Sequence, residues 1–485
     1  MMSIKDLDPK IVWKNFYAMT QIPRPSKREG KAVAFLENFG KNLGLETIKD
    51  ELGNIIIRKP ATPGMENRKG IILQSHMDMV PQKKNDKVHD WDNDPIETKI
   101  VGDWVYAEDT TLGADDGMGC AIAMSVLESK DLVHGPIEAL FTIDEETGMT
   151  GAQGLKGGLL KGDILFNMDS ETEGELYIGC AGGADVTATF DYELEDVPAG
   201  FKGLQIDVKG LLGGHSGMEI NQGRANANKL MARALLPILR DLDGRLASVA
   251  GGTLRNAIPL ECVAKVAVPE GNLDKAKAVV ADLFAKAANE YGPVEKNLNI
   301  FCDPCEVTKV MKGDVAMRAT TAVYACLSGV ARFSLTMDDM VETSNNLAVF
   351  HSENGTIKVM TLTRGSIDSA KEDLIETVKS PFILAGASVK VSGDYPGWQP
   401  NIDSEILNLC KKVYEDLFGD EPKVKAIHAG LECGILSTNY KHWDMVSCGP
   451  TICSPHSPLE RVEIPSIAKW WRFVKEVLKE APVKK

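Results

Sequence analysis

The sequence predicts an α/β protein, a mixed sheet flanked by helices, with a second α+β domain inserted into it. Three observations carry that expectation. Roughly the first 180 residues alternate short apolar runs with helix-like segments. The pattern changes near residue 187 to longer amphipathic strands, and the first pattern resumes after "DYPGWQP" at 394–400, where Pro and Gly interrupt any regular element. A chain of 485 residues also exceeds what one hydrophobic core usually organises. The expected division is 1–186 and 398–485 for the main domain and 187–397 for the insertion.

Taken in order, "KREGKAVAFLENFGKNLG" carries apolar residues at helical spacing and ends on Gly44, a suitable C-terminal glycine. Short apolar runs bounded by turn residues follow: "GNIIIRKP", "GIILQSHMDMV", "DWVYAED", "IEALFTIDEE" and "DILFNMD". Between the third and fourth, "GMGCAIAMSVLESKDL" is a small-residue helix suited to close packing on a sheet. The inserted segment opens with "DVTATFDYELEDVPAGFKGLQIDVKGL", two amphipathic strands, and continues with the helix "GRANANKLMARALLPILRDL". After the hinge, "SEILNLCKKVYEDLFG" is a helix and "DMVSCGPTI" a buried strand.

Composition narrows the partners. A formal charge of −15 and a pI near 5.2 argue against nucleic acid or an anionic membrane surface, both of which favour basic patches. No apolar stretch approaches the length of a membrane span, and "MMSIKDLDPKIVWKNF" lacks the apolar core of a signal peptide. Ten scattered cysteines fit reduced thiols, so a cytoplasmic location is expected. "CDPC", at Cys302 and Cys305, has redox or zinc spacing but no second pair or histidine beside it, and reads as two free thiols. Gly-rich "GCAGGAD" lacks the Lys-Ser/Thr signature of a phosphate loop.

The chemistry-bearing residues cluster at the ends of predicted strands. His76 and Asp78 in "SHMDM" lie two apart, so both can face one site, with Asp78 holding the second imidazole nitrogen. Asp115 and Asp116 in "GADDG" precede a helix, where capping explains one aspartate better than two. Glu145 and Glu146 end the run "IEALFTI"; consecutive residues on a strand point oppositely, so both can face one site only if the backbone turns, as Thr147-Gly148 permits. Asp169 ends "DILFNMD", and His456 lies in the Pro-rich loop "CSPHSPLE". His89, His134, His351 and His442 have no acidic partner at ligand-like spacing.

His76-x-Asp78, "GADDG", "DEETG", "NMDSE" and "PHSP", in this order and spacing, resemble the M20 family of dinuclear zinc peptidases. "HMDMVPQKKND", "TLGADDGMG", "GGTLRNAIP", "YPGWQP", "HAGLECG" and "GPTICSPHSP" are similar to its bacterial members that hydrolyse Xaa-His dipeptides. The resemblance implies two Zn²⁺ per chain, with Mn²⁺ or Co²⁺ able to replace them, and a zinc-peptidase-type sheet. Asp115 would bridge the two ions, with His76 and Asp169 on one and Glu146 and His456 on the other. Glu145 would be the general base for a hydroxide held between the metals, and Asp78 would orient His76. From the inserted domain, His215 in "GGHSG" would stabilise the oxyanion, and Asn256 and Arg364 would bind the substrate's carboxylate. His428 is placed near the substrate by the same match. The substrate implied is a dipeptide, preferentially Xaa-His and including the carnosine type. The insertion would act as a lid and carry a homodimer contact. Two other readings stay open: an M20-type amidohydrolase that deacylates N-acyl amino acids, and a non-catalytic peptide-binding protein of the same fold.

Overall fold

The computed structural model describes residues 3–484. The chain forms two compact units, one made of 1–180, 398–426 and 431–485, the other of 181–397 and 427–430. The first crossing falls at Ala181, ahead of the 187 expected, because Gly182–Asp191 is one continuous strand that the residue pattern had split. The short return of 427–430 to the second unit had no signature in the sequence.

In the first unit, the apolar runs become the centre of an eight-stranded sheet. Five neighbours run in the order Ile55–Lys59, Ile137–Thr142, Ile71–His76, Ile164–Asn167, Asp444–Ser447, and the last four are mutually parallel. Ile71–His76 and Ile137–Thr142 are buried at every position, as strands between helical layers are. Helix Ala114–Glu128 packs on them, and its Gly, Ala and Cys residues permit the close approach. Glu405–Phe418 is capped by the Ser404 hydroxyl, which accepts from Leu407 N, and it packs against Ile464–Lys479. Gly44, at φ 71, ends the helix Gly30–Asn42 in the left-handed region. "DWVYAED" departs from the main sheet: Trp104–Ala107 pairs with Thr98–Val101 and Arg461–Glu463 in a separate small sheet.

The second unit is a nine-stranded sheet whose pairings are antiparallel. Its strands alternate as the period of two requires: Val186, Ala188 and Phe190, and Leu204, Ile206 and Val208, all enter one core. Leu230, Met231, Leu235 and Ile238 of helix Ala227–Asp241 complete that core, together with Phe382 of Asp368–Leu384.

Candidate active site

Parallel pairing lines up the carboxyl ends of three central strands. His76 lies opposite Thr142, and Gln74 lies opposite Asn167. The chain just past each strand therefore brings Asp78, the Glu145-Glu146 pair and Asp169 to one edge, where open α/β sheets place their sites. Asp115 enters from the start of Ala114–Glu128, where it keeps an extended conformation (φ −81, ψ 110). His456 enters from the loop between Ile452–Cys453 and Arg461–Glu463.

These side chains form two groups that share one carboxylate. His76 Nε2 is 3.1 Å from Asp115 Oδ1 and 3.4 Å from Asp169 Oδ1. His456 Nε2 is 3.1 Å from Asp115 Oδ2 and 2.9 Å from Glu146 Oε2. Asp115 thus offers one oxygen to each imidazole. Donor atoms of His76, Asp115 and Glu146 all lie within 4.8 Å of one another.

The electrostatics of this cluster suit cations. Among the described residues, no lysine or arginine forms an ion pair with Asp115, Glu145, Glu146, Asp169 or Glu171. Burial pushes Asp169 up to about 7 and Glu171 up to about 8, and burial with the nearby Asp169 holds Glu145 well above the usual carboxylate range. The acids act on the imidazoles in return. Hydrogen bonds to Asp115 and Glu146 push His456 up to about 11, and at His76 burial is outweighed by Asp169 and Asp115. Glu146 Oε1 is buried with no hydrogen-bond donor. Carboxylate oxygens and imidazole nitrogens, uncompensated and convergent, are a donor set that fits divalent metal ions.

The supporting residues explain how neighbouring glutamates face one site. Asp78, fully buried, accepts from Glu145 N (3.1 Å) through Oδ1 and from Glu146 N (3.3 Å) and the Ser26 hydroxyl (2.8 Å) through Oδ2. Its Oδ1 also lies 3.3 Å from His76 Nδ1, which leaves Nε2 for the cluster. The turn expected at Thr147-Gly148 is present over residues 145–148, flanked by two left-handed residues, Asp144 (φ 56) and Met149 (φ 51). The Asp144 carboxylate is held by the Thr147 and Thr150 hydroxyls, and its carbonyl accepts from Gly148 N and Met149 N. Asp116 performs the capping expected of one aspartate, accepting from Gly119 N at 3.1 Å.

Three further residues support the cluster. Arg24, 1% exposed, donates to the Met77, Asp78 and Gly113 carbonyls and so braces the segments on either side of the cluster. Glu432, fully buried, accepts from Gln74 Nε2 (2.7 Å) and the Thr142 hydroxyl (2.6 Å), while Gln74 Oε1 accepts from Asn167 Nδ2 (2.5 Å). That network ties together the three strands that end at the cluster. Glu171 adds an acid of its own. The partners of Arg24 and Glu432 are remote in sequence, so no local spacing marks them, whereas Glu171 lies two residues past Asp169.

Within the second unit, His215, Arg364 and His428 lie close enough to influence one another's charge. His215 Nδ1 accepts from Gly217 N (3.2 Å) and Met218 N (3.1 Å), so Nε2 carries the proton and is a donor. Burial and the Arg364 charge hold the ring neutral. Arg364 is 5% exposed, and its guanidinium makes long contacts to hydroxyls, Tyr395 at 3.2 Å and Ser216 at 3.4 Å. His428 Nε2 is 2.7 Å from the Ser344 hydroxyl, and burial pushes its pKa down to about 3. Asn256 has an exposed side chain; its carbonyl accepts from Ser216 N at 2.8 Å.

Comparison with known proteins gives the same affiliation. The chain is 45% identical over 488 residues to the cytosol non-specific dipeptidase of Escherichia coli, covering all of both chains. The crystal structure of aminoacylhistidine dipeptidase from Vibrio alginolyticus matches with a TM-score of 0.93 and 45% identity, over 100% of this chain and 99% of that one. Aminopeptidase PepT from Bacillus cereus shares the fold at 18% identity, with a TM-score of 0.58 over 98% and 99% of the two chains. Residues 72–480 match the model of peptidase family M20/M25/M40. The chain belongs to that family of metal-dependent peptidases.

Proposed function

We propose that this protein is a dipeptidase that hydrolyses dipeptides, Xaa-His among them, at a pair of divalent metal ions, two Zn²⁺ in the native form. The observation that supports this most directly is the Asp115 carboxylate, with one oxygen toward His76 and the other toward His456. His76, Asp115 and Asp169 would hold one ion, and Asp115, Glu146 and His456 the other; two 2+ ions offset three ligand carboxylates with one charge to spare. Such ions polarise the scissile carbonyl and acidify water.

The protein's own groups carry the remaining steps. Glu145, with its backbone pinned by Asp78, takes a proton from the attacking water and returns it to the departing amine. His215 offers a neutral Nε2–H donor for the oxyanion. Arg364, with no carboxylate on its guanidinium, suits the substrate's free carboxylate, with Asn256 and His428 as further contacts. In this reading the second unit is a lid and carries a homodimer contact; the edge strand Gly329–Phe333, with Phe333 and then Leu335 exposed, suits such a contact. No helix among the described residues is long and apolar enough to cross a membrane. With ten free cysteines and a relative named for the cytosol, a cytoplasmic location completes the proposal.

The two similar proteins differ in the breadth their names give, so the histidine preference needs its own test. Zinc-loaded protein should hydrolyse Ala-His faster than Ala-Leu and leave N-acetyl amino acids untouched, and Glu145→Ala should abolish turnover. Preferential hydrolysis of N-acetyl amino acids would make it an amidohydrolase. Peptide binding with no turnover in Zn²⁺, Mn²⁺ or Co²⁺ would make it a binding protein.

A further inference from the structure

Asp116 caps the regular turns of helix Ala114–Glu128, but the N–H groups ahead of it need another acceptor. The residue before the helix is Gly113, at φ 67, which has no side chain to accept from the first N–H groups. Those groups are satisfied from the far end of the chain. Glu460 Oε2 accepts from Leu112 N at 2.7 Å and Gly113 N at 2.9 Å, and Oε1 accepts from Ala114 N at 2.7 Å and Asp115 N at 3.3 Å. One carboxylate, 2% exposed, therefore holds four successive N–H groups that end at the shared aspartate.

The other end of this tether is as informative. Glu460 directly precedes Arg461–Glu463, which pairs with Trp104–Ala107, and its own N–H donates to Ser457 O at 3.0 Å. The loop it closes contains His456 at φ 56 and Ser454 at φ 54, left-handed conformations that non-glycine residues keep only where surroundings impose them. His456 is also the open member of the cluster, with a side chain 51% exposed against 1% for His76. Packing holds His76. His456 needs another restraint, and the same short loop delivers its imidazole to Asp115 Oδ2 and the Glu460 carboxylate to Asp115 N.

We propose that Glu460 is a positioning residue that fixes the His456 loop to the Asp115 segment, and so sets the metal affinity of the half-site formed by Asp115, Glu146 and His456. The inference rests on the two-metal reading above. Glu460 touches no donor atom, so its effect is on how well two donors are held at the right separation before a cation arrives. Groups that support metal ligands commonly change affinity by about 10- to 100-fold.

The test is a Co²⁺ titration of metal-stripped, full-length protein, followed by visible absorption and by dipeptide hydrolysis. Glu460→Gln keeps the volume and loses two of the four acceptor positions; Glu460→Ala loses all four. The expected result is that one Co²⁺ equivalent weakens by at least about tenfold in Glu460→Gln and further in Glu460→Ala, while the other stays within about threefold. Activity of Glu460→Gln should recover in excess Co²⁺, with KM within about twofold of the unsubstituted protein. Native affinity at both equivalents in a folded Glu460→Gln would overturn the proposal, and so would equal weakening of both. Failure of the unsubstituted protein to bind two Co²⁺, or to hydrolyse dipeptides, would instead count against the reading of the centre itself.

Discussion

Replacing Asp78 with asparagine is the most informative single change at the first unit's cluster, because the new side chain has nearly the old shape. Each Asp78 oxygen now faces a glutamate N–H, at 3.1 Å for Glu145 and 3.3 Å for Glu146. Asparagine has one acceptor oxygen, so in either orientation its NH₂ group points at one of those N–H groups. One bond to a charged acceptor is lost, worth ~1.5–3 kcal/mol, and a donor is set against a donor in a buried place. The contact at 3.3 Å from His76 Nδ1 also loses its charge, which weakens the hold on the ring's orientation. If about 2.7 kcal/mol of this appears in the transition state, kcat falls by about 100-fold. The assay is steady-state hydrolysis of Ala-His at saturating Zn²⁺, with metal content measured on the same sample. A kcat within about threefold of the unsubstituted protein, with both metals bound, would refute the claim that Asp78 positions the base.

Three other changes have defined outcomes. In the metal-free protein His456, pushed up to about 11 by Asp115 and Glu146, is protonated at pH 7, whereas a metal needs the neutral ring; Zn²⁺ binding should release protons and weaken as pH falls, and calorimetry in two buffers of different ionisation enthalpy that finds no release would contradict this. Arg364→Lys should raise KM for Ala-His by about tenfold and leave an amidated dipeptide unaffected, since only the free carboxylate uses the planar fork; equal effects on both substrates would count against it. Gly217→Ala would place a Cβ 2.1 Å from the His428 carbonyl oxygen, so denaturant unfolding should show a loss of ~1–3 kcal/mol, and an unchanged midpoint would show that the loop gives way freely.

Much of the first unit was legible because its signals are local. "GIILQSHMDMV", "IEALFTIDEE" and "DILFNMD" are apolar runs long enough for buried strands, and each carries its polar residues just past the last apolar position. Parallel pairing then brings His76, Asp78, Glu145, Glu146 and Asp169 to one edge. The supporting contacts are non-local. Glu432 meets Gln74 and Thr142, and Glu460 meets residues 112–115, hundreds of positions away. The turn after Ile137–Thr142 includes Thr147-Gly148 as expected, and the left-handed residues flanking it are Asp144 and Met149. Asp144 takes that conformation because two threonine hydroxyls and two backbone N–H groups hold it there. Gly182 and Gly183, which precede the expected boundary at 187, pair with Gly365 and Arg364 through their backbones, a contact that spans more than 180 positions.

The central claim is that Asp115 joins two metal ions. Anomalous diffraction from crystals of the zinc-loaded protein tests it most directly. Two peaks per chain are expected on either side of the Asp115 carboxylate, one among His76, Asp115 and Asp169 and the other among Asp115, Glu146 and His456. A fully active protein with a single peak there, or with its zinc bound elsewhere, would contradict it.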